Sequence, residues 1–320
     1  GAPRSSSTEE RYVMKLAFVF PGQGSQSVGM MQGWSERAVA RATFAEASDA
    51  LGQDLWALAT AGPADLLNQT VNTQPAMLAA DIAAWRVWLA AGGATPALLA
   101  GHSLGEYAAL VAAGALGFSD AIKLVRFRAE AMQAAVPEGV GAMAAILGLD
   151  DDTVRAVCSE AAAGEVVEAV NLNSPGQVVI AGNKAAVERA MVLAKEKGAK
   201  RALPLPVSVP SHSSLMLPAA EKLLAHLQGV TIAVPTIAVL HNTDVQSHAD
   251  ADAIRAALAK QLHTPVRWVE TVQALKAAGI KRVIECGPGK VLAGLSKRID
   301  DSLPAVALVD EASLQVALNN

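Results

Sequence analysis

Apolar residues along this chain of 320 residues fall into two kinds of spacing, short unbroken runs and longer stretches with helical periodicity. Lys15 to Phe20, ended by Pro21-Gly22, and Ala97 to Ala100, ended by Gly101, read as buried strands. Helical spacing predicts helices over about Ser35 to Leu51 and Gln74 to Ala91. An alanine-rich helix is predicted to open just after Ser103 and run to about Ala113. Another, capped by Ser119-Asp120, should end near Val136, before Pro137.

The middle of the chain changes rhythm. Gly141 to Gly148 reads as a strand, Asp150 to Ala163 as a helix capped by its aspartates, and Val166 to Leu172 and Gln177 to Ala181 as two strands across Asn173-Ser174-Pro175-Gly176. A helix at Lys184 to Lys197 and an extended Arg201 to Leu205 complete β-α-β-β-α-β, the split βαβ pattern of a ferredoxin-like module. From His212 the alternation resumes, with helices near Ser214 to Leu227, Asp250 to Leu262 and Trp268 to Ala277. A buried strand at Arg282 to Glu285 then precedes Gly287-Pro288-Gly289 and a further helix. The expected fold is α/β, a hydrolase-like core with a parallel sheet flanked by helices and a small ferredoxin-like subdomain inserted in it. In residue numbers, 12–137 and 209–312 form the discontinuous catalytic domain, 138–208 the insertion, and 1–11 a tail.

Length supports that division, because one core stops growing at roughly 250 to 300 residues. Composition excludes several classes. With 52% hydrophobic and 18% charged residues the chain is not disordered. Against 30 Asp and Glu there are 26 Lys and Arg, with no polybasic run, so nucleic acid is not an expected partner. Cys158 and Cys286 are far apart and lack CxxC spacing, which indicates neither a disulfide framework nor a thiolate zinc site. The apolar region from Met77 to Ala100 contains Asp81 and Arg86 and is broken by Gly92-Gly93, as suits a buried helix and not a membrane span. The N-terminal segment lacks a signal-peptide core, so a cytoplasmic location is expected.

Gly101-His102-Ser103-Leu104-Gly105 matches GxSxG, the nucleophile elbow, in which a serine occupies a sharp strand-to-helix turn. By chance the pattern arises in roughly one chain in ten of this length, given glycine near 7%. Here it lies between a predicted strand and a predicted helix, as the elbow requires. A serine hydroxyl needs a base. Of six histidines, His226, His241, His248 and His263 read as surface or structural, and His102 should point away from its neighbour Ser103. His212, in Val209-Pro210-Ser211-His212 before a helix, is the remaining candidate. No carboxylate stands out as a third member, which leaves either an overlooked acid or a main-chain carbonyl to orient the imidazole. HExxH, a Walker loop and a suitably placed GxGxxG are all absent, so no metal or nucleotide cofactor is indicated.

Phe18 to Gln26 (FVFPGQGSQ), GHSLGEYAAL at 101–110 and VPSH at 209–212 together resemble the malonyl-CoA:acyl carrier protein transacylases of bacterial fatty acid synthesis. TQPAM at 73–77, NSPGQVVIAG at 173–182, QLHTPVRW at 261–268 and ECGPGKVLAGL at 285–295 extend the resemblance over nearly the whole chain. It implies Ser103 as nucleophile, His212 as base held by the main-chain carbonyl of Gln261, and an oxyanion hole from the N–H groups of Gln23 and Leu104. It also implies Arg128 as the partner of the malonyl carboxylate. On residues alone, Arg126 and Arg128 share a helix and at most one can face a cleft, the other reading being a solvated arginine. The implied substrate is malonyl-CoA, the implied partner acyl carrier protein, and the expected state a monomer without a cofactor. A serine thioesterase or hydrolase and a trans-acting polyketide acyltransferase share the elbow. Ser211 lies where related domains vary with the acyl unit, and a non-catalytic docking subunit would have no use for a nucleophile.

Overall fold

All five side chains of Leu16–Phe20 are buried, as befits a strand covered on both faces, and they form β1 at the centre of a parallel sheet. The computed structural model describes residues 16–320; Lys15 and the expected tail at 1–11 lie outside the described residues. On one side β1 pairs with β2 (Leu98–Gly101), and β2 with β7 (Ala238–Leu240). On the other it pairs with β8 (Arg282–Cys286), and β8 with β9 (Ala305–Leu308). Every pairing is parallel. The side chains of β1 alternate between two cores. Phe18 and Phe20 join the larger cluster, with Phe18 edge-on to Trp85 at 5.2 Å, while Ala17 and Val19 face a second cluster around Trp268, Leu275 and Leu295.

Between β1 and β2 run α1 (Ala38–Leu51), α2 (Leu55–Ala61), α3 (Ala64–Leu67) and α4 (Thr70–Ala90). α4 is apolar on nearly all sides and correspondingly buried. It begins four residues before the expected Gln74, carrying Pro75 inside it; Asn72 and Thr73 N–H already bond Gln69 O, so the first turn is closed before the proline. After β2 come α5 (Gly105–Ala112) and α6 (Phe118–Ala135). The expected Ser119-Asp120 cap is corrected: α6 starts at Phe118, with Gly117 in the capping position and no side-chain capping bond.

β3 (Gly141–Leu147), α7 (Asp151–Ala161), β4 (Val167–Ser174), β5 (Gln177–Asn183), α8 (Lys184–Glu196) and β6 (Arg201–Pro204) follow in the β-α-β-β-α-β order that the residue pattern indicated. They form an antiparallel sheet ordered β4-β5-β3-β6, and α7 and α8 bury Val154, Val157, Val187 and Ala190 against one of its faces. Asp150 caps α7 by accepting from the Thr153 N–H at 2.7 Å. β4 is tied to the segment just before Trp268–Ala277 through Leu172 N–H to Val266 O and Val266 N–H to Val170 O.

The chain then adds α9 (Leu217–Leu227) before β7, α10 (Ala251–Gln261) and α11 (Trp268–Ala277) before β8, α12 (Val291–Ile299) before β9, and α13 (Glu311–Asn319) after it. β7 and β9, with three and four residues, form the sheet edges and were too short to register as apolar runs. Among the described residues no helix is long and apolar enough to cross a membrane. Strand order reverses at β1, with β2 on one side and β8 on the other. In open parallel sheets the crevice for ligands lies outside the carboxyl ends of strands at such a reversal. The Pro21-Gly22-Gln23 loop and the Ser103 turn both leave the sheet there.

Candidate active site

Ser103 stands two residues past the end of β2 and has φ +54°, a left-handed conformation that costs a non-glycine residue about 1–3 kcal/mol. The turn is tight enough to require both flanking glycines. A Cβ on Gly101 would sit 1.9 Å from Gly105 O, and one on Gly105 would sit 2.0 Å from Phe20 O. This crowding lifts Ser103 off the end of the sheet at the start of α5.

His212 also has a positive φ, +67°. Its N–H donates to Leu262 O at 3.0 Å and its Nδ1 donates to Gln261 O at 2.6 Å, so both backbone and ring are held at the end of α10. The last carbonyls of a helix lack internal partners and lie at the negative end of its dipole. Such an acceptor fixes the tautomer with the proton on Nδ1 and favours the imidazolium when it forms. Nε2 then faces Ser103 Oγ at 2.7 Å. Burial, followed by the nearby Arg128 charge, pushes the His212 pKa down to about 3, so near neutral pH the ring is unprotonated at Nε2 and free to accept a proton.

Arg128 is 1% exposed. Its Nη1 donates to Gln74 Oε1 at 2.8 Å and its Nη2 to Gln261 Oε1 at 2.9 Å, with Ser103 Oγ 3.4 Å from Nη2. None of these acceptors is a carboxylate, and Nε is unpartnered among the described residues. The Tyr107 ring lies 5.4 Å from the guanidinium, but a buried cation without a hydrogen-bonded anion is costly, and this one lies beside the serine. Arg126, two residues away, instead bonds Gln53 Oε1.

Gln23 is exposed on the loop after β1, and Leu104 is buried at the head of α5. The two segments touch, since a Cβ on Gly22 would lie 3.3 Å from Leu104 N. Among the described residues neither N–H has a backbone acceptor. Gln23 is also linked to Arg128. Gln74 takes the Arg128 bond and donates to Thr70 Oγ1, which donates to Gln23 Oε1, each at 3.0 Å. Ser103, His212, Arg128, Gln261, Gln23 and Leu104 are thus gathered at one end of the sheet.

His102 turns to Asn173 Oδ1 at 2.8 Å and packs on Trp268. His241 is buried, with Nδ1 3.1 Å from Glu106 Oε2; burial lowers its pKa, but the Glu106 charge and hydrogen bond outweigh this and leave it raised. Gln74, Glu106 and Asn242 were not singled out from sequence. A charged residue inside the apolar stretch GHSLGEYAAL was a signal for Glu106; Asn242 carried none. Among the described residues no cluster of three or more His, Cys, Asp or Glu is arranged for a metal ion.

Residues 17–312 match the acyl transferase domain family. This chain belongs to that family. It is similar to the malonyl CoA-acyl carrier protein transacylase of Salmonella typhimurium, 57% identical over 95% of this chain and 99% of that protein. The Bacillus subtilis protein of the same name is 46% identical over 95% of this chain and 96% of its own. Among solved structures, an acyl-carrier-protein S-malonyltransferase from Burkholderia pseudomallei superimposes with a TM-score of 0.94 at 63% identity, covering 96% of this chain and all of that one. A malonyl-transacylase solved in complex with a type II polyketide acyl-carrier protein gives 0.94 at 55% identity, with the same coverage. The family's α/β fold and its acyltransferase chemistry are those anticipated from FVFPGQGSQ, GHSLGEYAAL and VPSH.

Proposed function

We propose that the protein transfers a malonyl group from malonyl-CoA to the phosphopantetheine thiol of acyl carrier protein through an ester on Ser103, supplying fatty acid synthesis. The observation that carries this reading is the buried Arg128, with no carboxylate partner, 3.4 Å from Ser103 Oγ. A hydrolase of neutral esters has no use for a fixed charge there. A substrate carrying its own carboxylate supplies the missing anion, and a charge-assisted contact of that kind contributes about 1.5–3 kcal/mol.

Ser103 Oγ attacks the thioester carbonyl as His212 Nε2 takes its proton. The tetrahedral oxyanion is received by the N–H groups of Gln23 and Leu104, preorganised donors at the loop after β1 and the head of α5. Collapse expels the coenzyme A thiolate, which leaves as the thiol with the proton from His212. The carrier thiol then gives its proton to His212 and attacks the ester, and Ser103 Oγ leaves with that proton from His212, which restores the starting enzyme in a ping-pong sequence. Gln261 O holds the imidazole throughout, in the place of a triad acid. No metal or redox group enters either half. Residues 12–137 with 209–312 form the catalytic domain in this reading, and 138–208 an insertion that carries Asn173 to the side of the elbow.

Similarity to the complex with a polyketide carrier supports a second reading, in which the recipient carrier serves polyketide assembly. Intact mass after brief mixing with malonyl-CoA or acetyl-CoA tests the chemistry. A malonyl adduct is expected on the wild type, absent in Ser103→Ala and less selective against acetyl in Arg128→Ala. Steady release of coenzyme A without a carrier, and no preference for malonyl, would instead mark a hydrolase. Rates with fatty acid and polyketide carriers separate the two readings.

A further inference from the structure

We infer that Asn242 is a positioning residue for the acyl transfer, holding Ser103 in its left-handed conformation by replacing with its side-chain amide the peptide pairing that the parallel sheet loses at the elbow. The inference rests on Ser103 being the nucleophile. β2 and β7 run side by side with Ala100 opposite Leu240, the last paired residues. Beyond them the chain of β2 turns sharply at Ser103; His102 N–H still meets Phe20 O of β1, but on the other side the pairing with β7 has ended. Asn242, two residues past the end of β7 and fully buried, reaches across. Its Oδ1 accepts from Ser103 N–H at 2.8 Å and its Nδ2 donates to Gly101 O at 2.7 Å.

An amide is suited to this because it carries a donor and an acceptor side by side, as a peptide group does; a carboxylate only accepts and a hydroxyl has a single proton. The amide is itself held from two sides. Gln261 Nε2 donates to Oδ1 at 3.2 Å, which fixes which end of the amide faces Ser103 N–H. Asn242 N–H donates to Glu106 Oε1 at 2.6 Å, and Glu106 lies on α5, the helix that the elbow opens. Glu106 N–H in turn donates to Ser103 O at 3.0 Å. Gly101, Asn242, Glu106 and Ser103 therefore form a closed ring of contacts around the strained residue. Asn242 has no hydrogen bond to His212 or Arg128; it reaches them only through Gln261, whose Nε2 keeps a second acceptor at Ser103 O, 2.9 Å away, when the Asn242 amide is removed.

The functional consequence is specific. Without the amide, Ser103 loses the contacts that offset its strain and its Oγ shifts from the His212 line, and a misplacement of about 1 Å costs on the order of 100-fold in rate. Arg128 keeps its bonds to Gln74 and Gln261, so the proposed carboxylate contact is expected to hold. The test is the single-turnover acylation of the protein by malonyl-CoA, with its saturation constant, in wild type, Asn242→Ala and the isosteric Asn242→Asp. Asn242→Asp keeps the acceptor for Ser103 N–H and loses the donor to Gly101 O. Leu258→Ala, a buried change on α10 with no polar role, controls for lost stability. The expected result is a fall of roughly 100-fold in the saturating rate for Asn242→Ala and about tenfold for Asn242→Asp. The saturation constant should stay within twofold, and Leu258→Ala should acylate at the wild-type rate despite a lower Tm. Should Asn242→Ala not fold, Asn242→Asp decides alone. The inference is overturned if the folded variants acylate at the wild-type rate, or if they lose rate only to the extent that Leu258→Ala does. Absence of a Ser103 adduct in the wild type would instead overturn the proposed acyl-enzyme itself.

Discussion

His212 Nδ1 bonds the main-chain oxygen of Gln261, not its side chain, at 2.6 Å. In an ordinary triad, losing the carboxylate's proper role costs about 10⁴-fold in kcat. Here no side-chain change at 261 removes the acceptor. Gln261→Ala is therefore expected to keep a working Ser103–His212 pair while losing the side-chain bonds to Arg128, Ser103 O and Asn242. A fall in kcat/KM for malonyl-CoA of about tenfold is expected, against 10³-fold or more for His212→Ala. Equal losses in steady-state assays would refute the carbonyl's role.

The pH dependence of acylation follows from the environment of His212. Its pKa, pushed to about 3 by burial and then by Arg128, keeps the base unprotonated well below the ordinary value of 6.5. The acylation rate should hold within about twofold from pH 8 to pH 5. Rapid-quench measurement showing half the rate lost near pH 6.5 would be inconsistent with this site. The same shift has a stability sign. Below pH 6.5 the unfolded chain binds a proton here that the folded chain refuses, so this contribution to stability is present at neutral pH and declines as pH falls toward 3.

Arg128→Lys keeps a charge but loses the planar fork. It should lower kcat/KM for malonyl-CoA by about 10- to 100-fold, corresponding to the 1.5–3 kcal/mol of a charge-assisted contact, and leave acetyl-CoA nearly unchanged. Competition between the two thioesters gives the ratio directly, and a parallel fall for both would remove the selectivity argument.

Asp81 on α4 is fully buried, with neither carboxyl oxygen hydrogen-bonded among the described residues. Burial, and then the charge of Glu285, push its pKa well above the usual carboxylate range, and burial raises Glu285 itself to about 7. Folded Asp81 keeps a proton that the unfolded chain loses near pH 4, so the fold weakens as pH rises above that point. Asp81→Asn should have a higher Tm than wild type at pH 8, with the gap narrowing toward pH 5. A gap independent of pH, in thermal melts, would contradict this assignment.

Gly105→Ala should destabilise the protein by at least about 1–3 kcal/mol, since its Cβ would meet backbone atoms of β1 that cannot yield as a side chain would. Chemical denaturation measures the loss; an unchanged midpoint would mean that the elbow is less tightly packed against β1.

Much of this protein was legible in one dimension. A buried strand leaves a continuous apolar run and a helix leaves a 3.6-residue period, so β1, β2, β8, most helices and the β-α-β-β-α-β order could be read directly. Local chemistry was equally plain at the elbow, where GxSxG between strand and helix already required a crowded turn at Ser103. Beyond that, elimination among the six histidines left His212 as the candidate base, and the resemblance supplied its orientation by Gln261 and the role of Arg128. The edge strands β7 and β9 were too short to form a pattern, and α6 begins at Phe118 behind Gly117, where no side-chain cap marks its start.

Sequence by itself determined most of the strands and helices, and that a serine stands at a strained turn, because those properties depend on neighbours within a few residues. Only the tertiary structure decided that Arg128, Gln74, Gln261 and Asn242 meet around that serine, and that the imidazole leans on a helix-end carbonyl in place of an acid. Ser103 and Asn242 are 139 residues apart along the chain. A contact of that range is created by the order of strands in the sheet and by burial, and neither leaves a mark on the residues next to it in sequence.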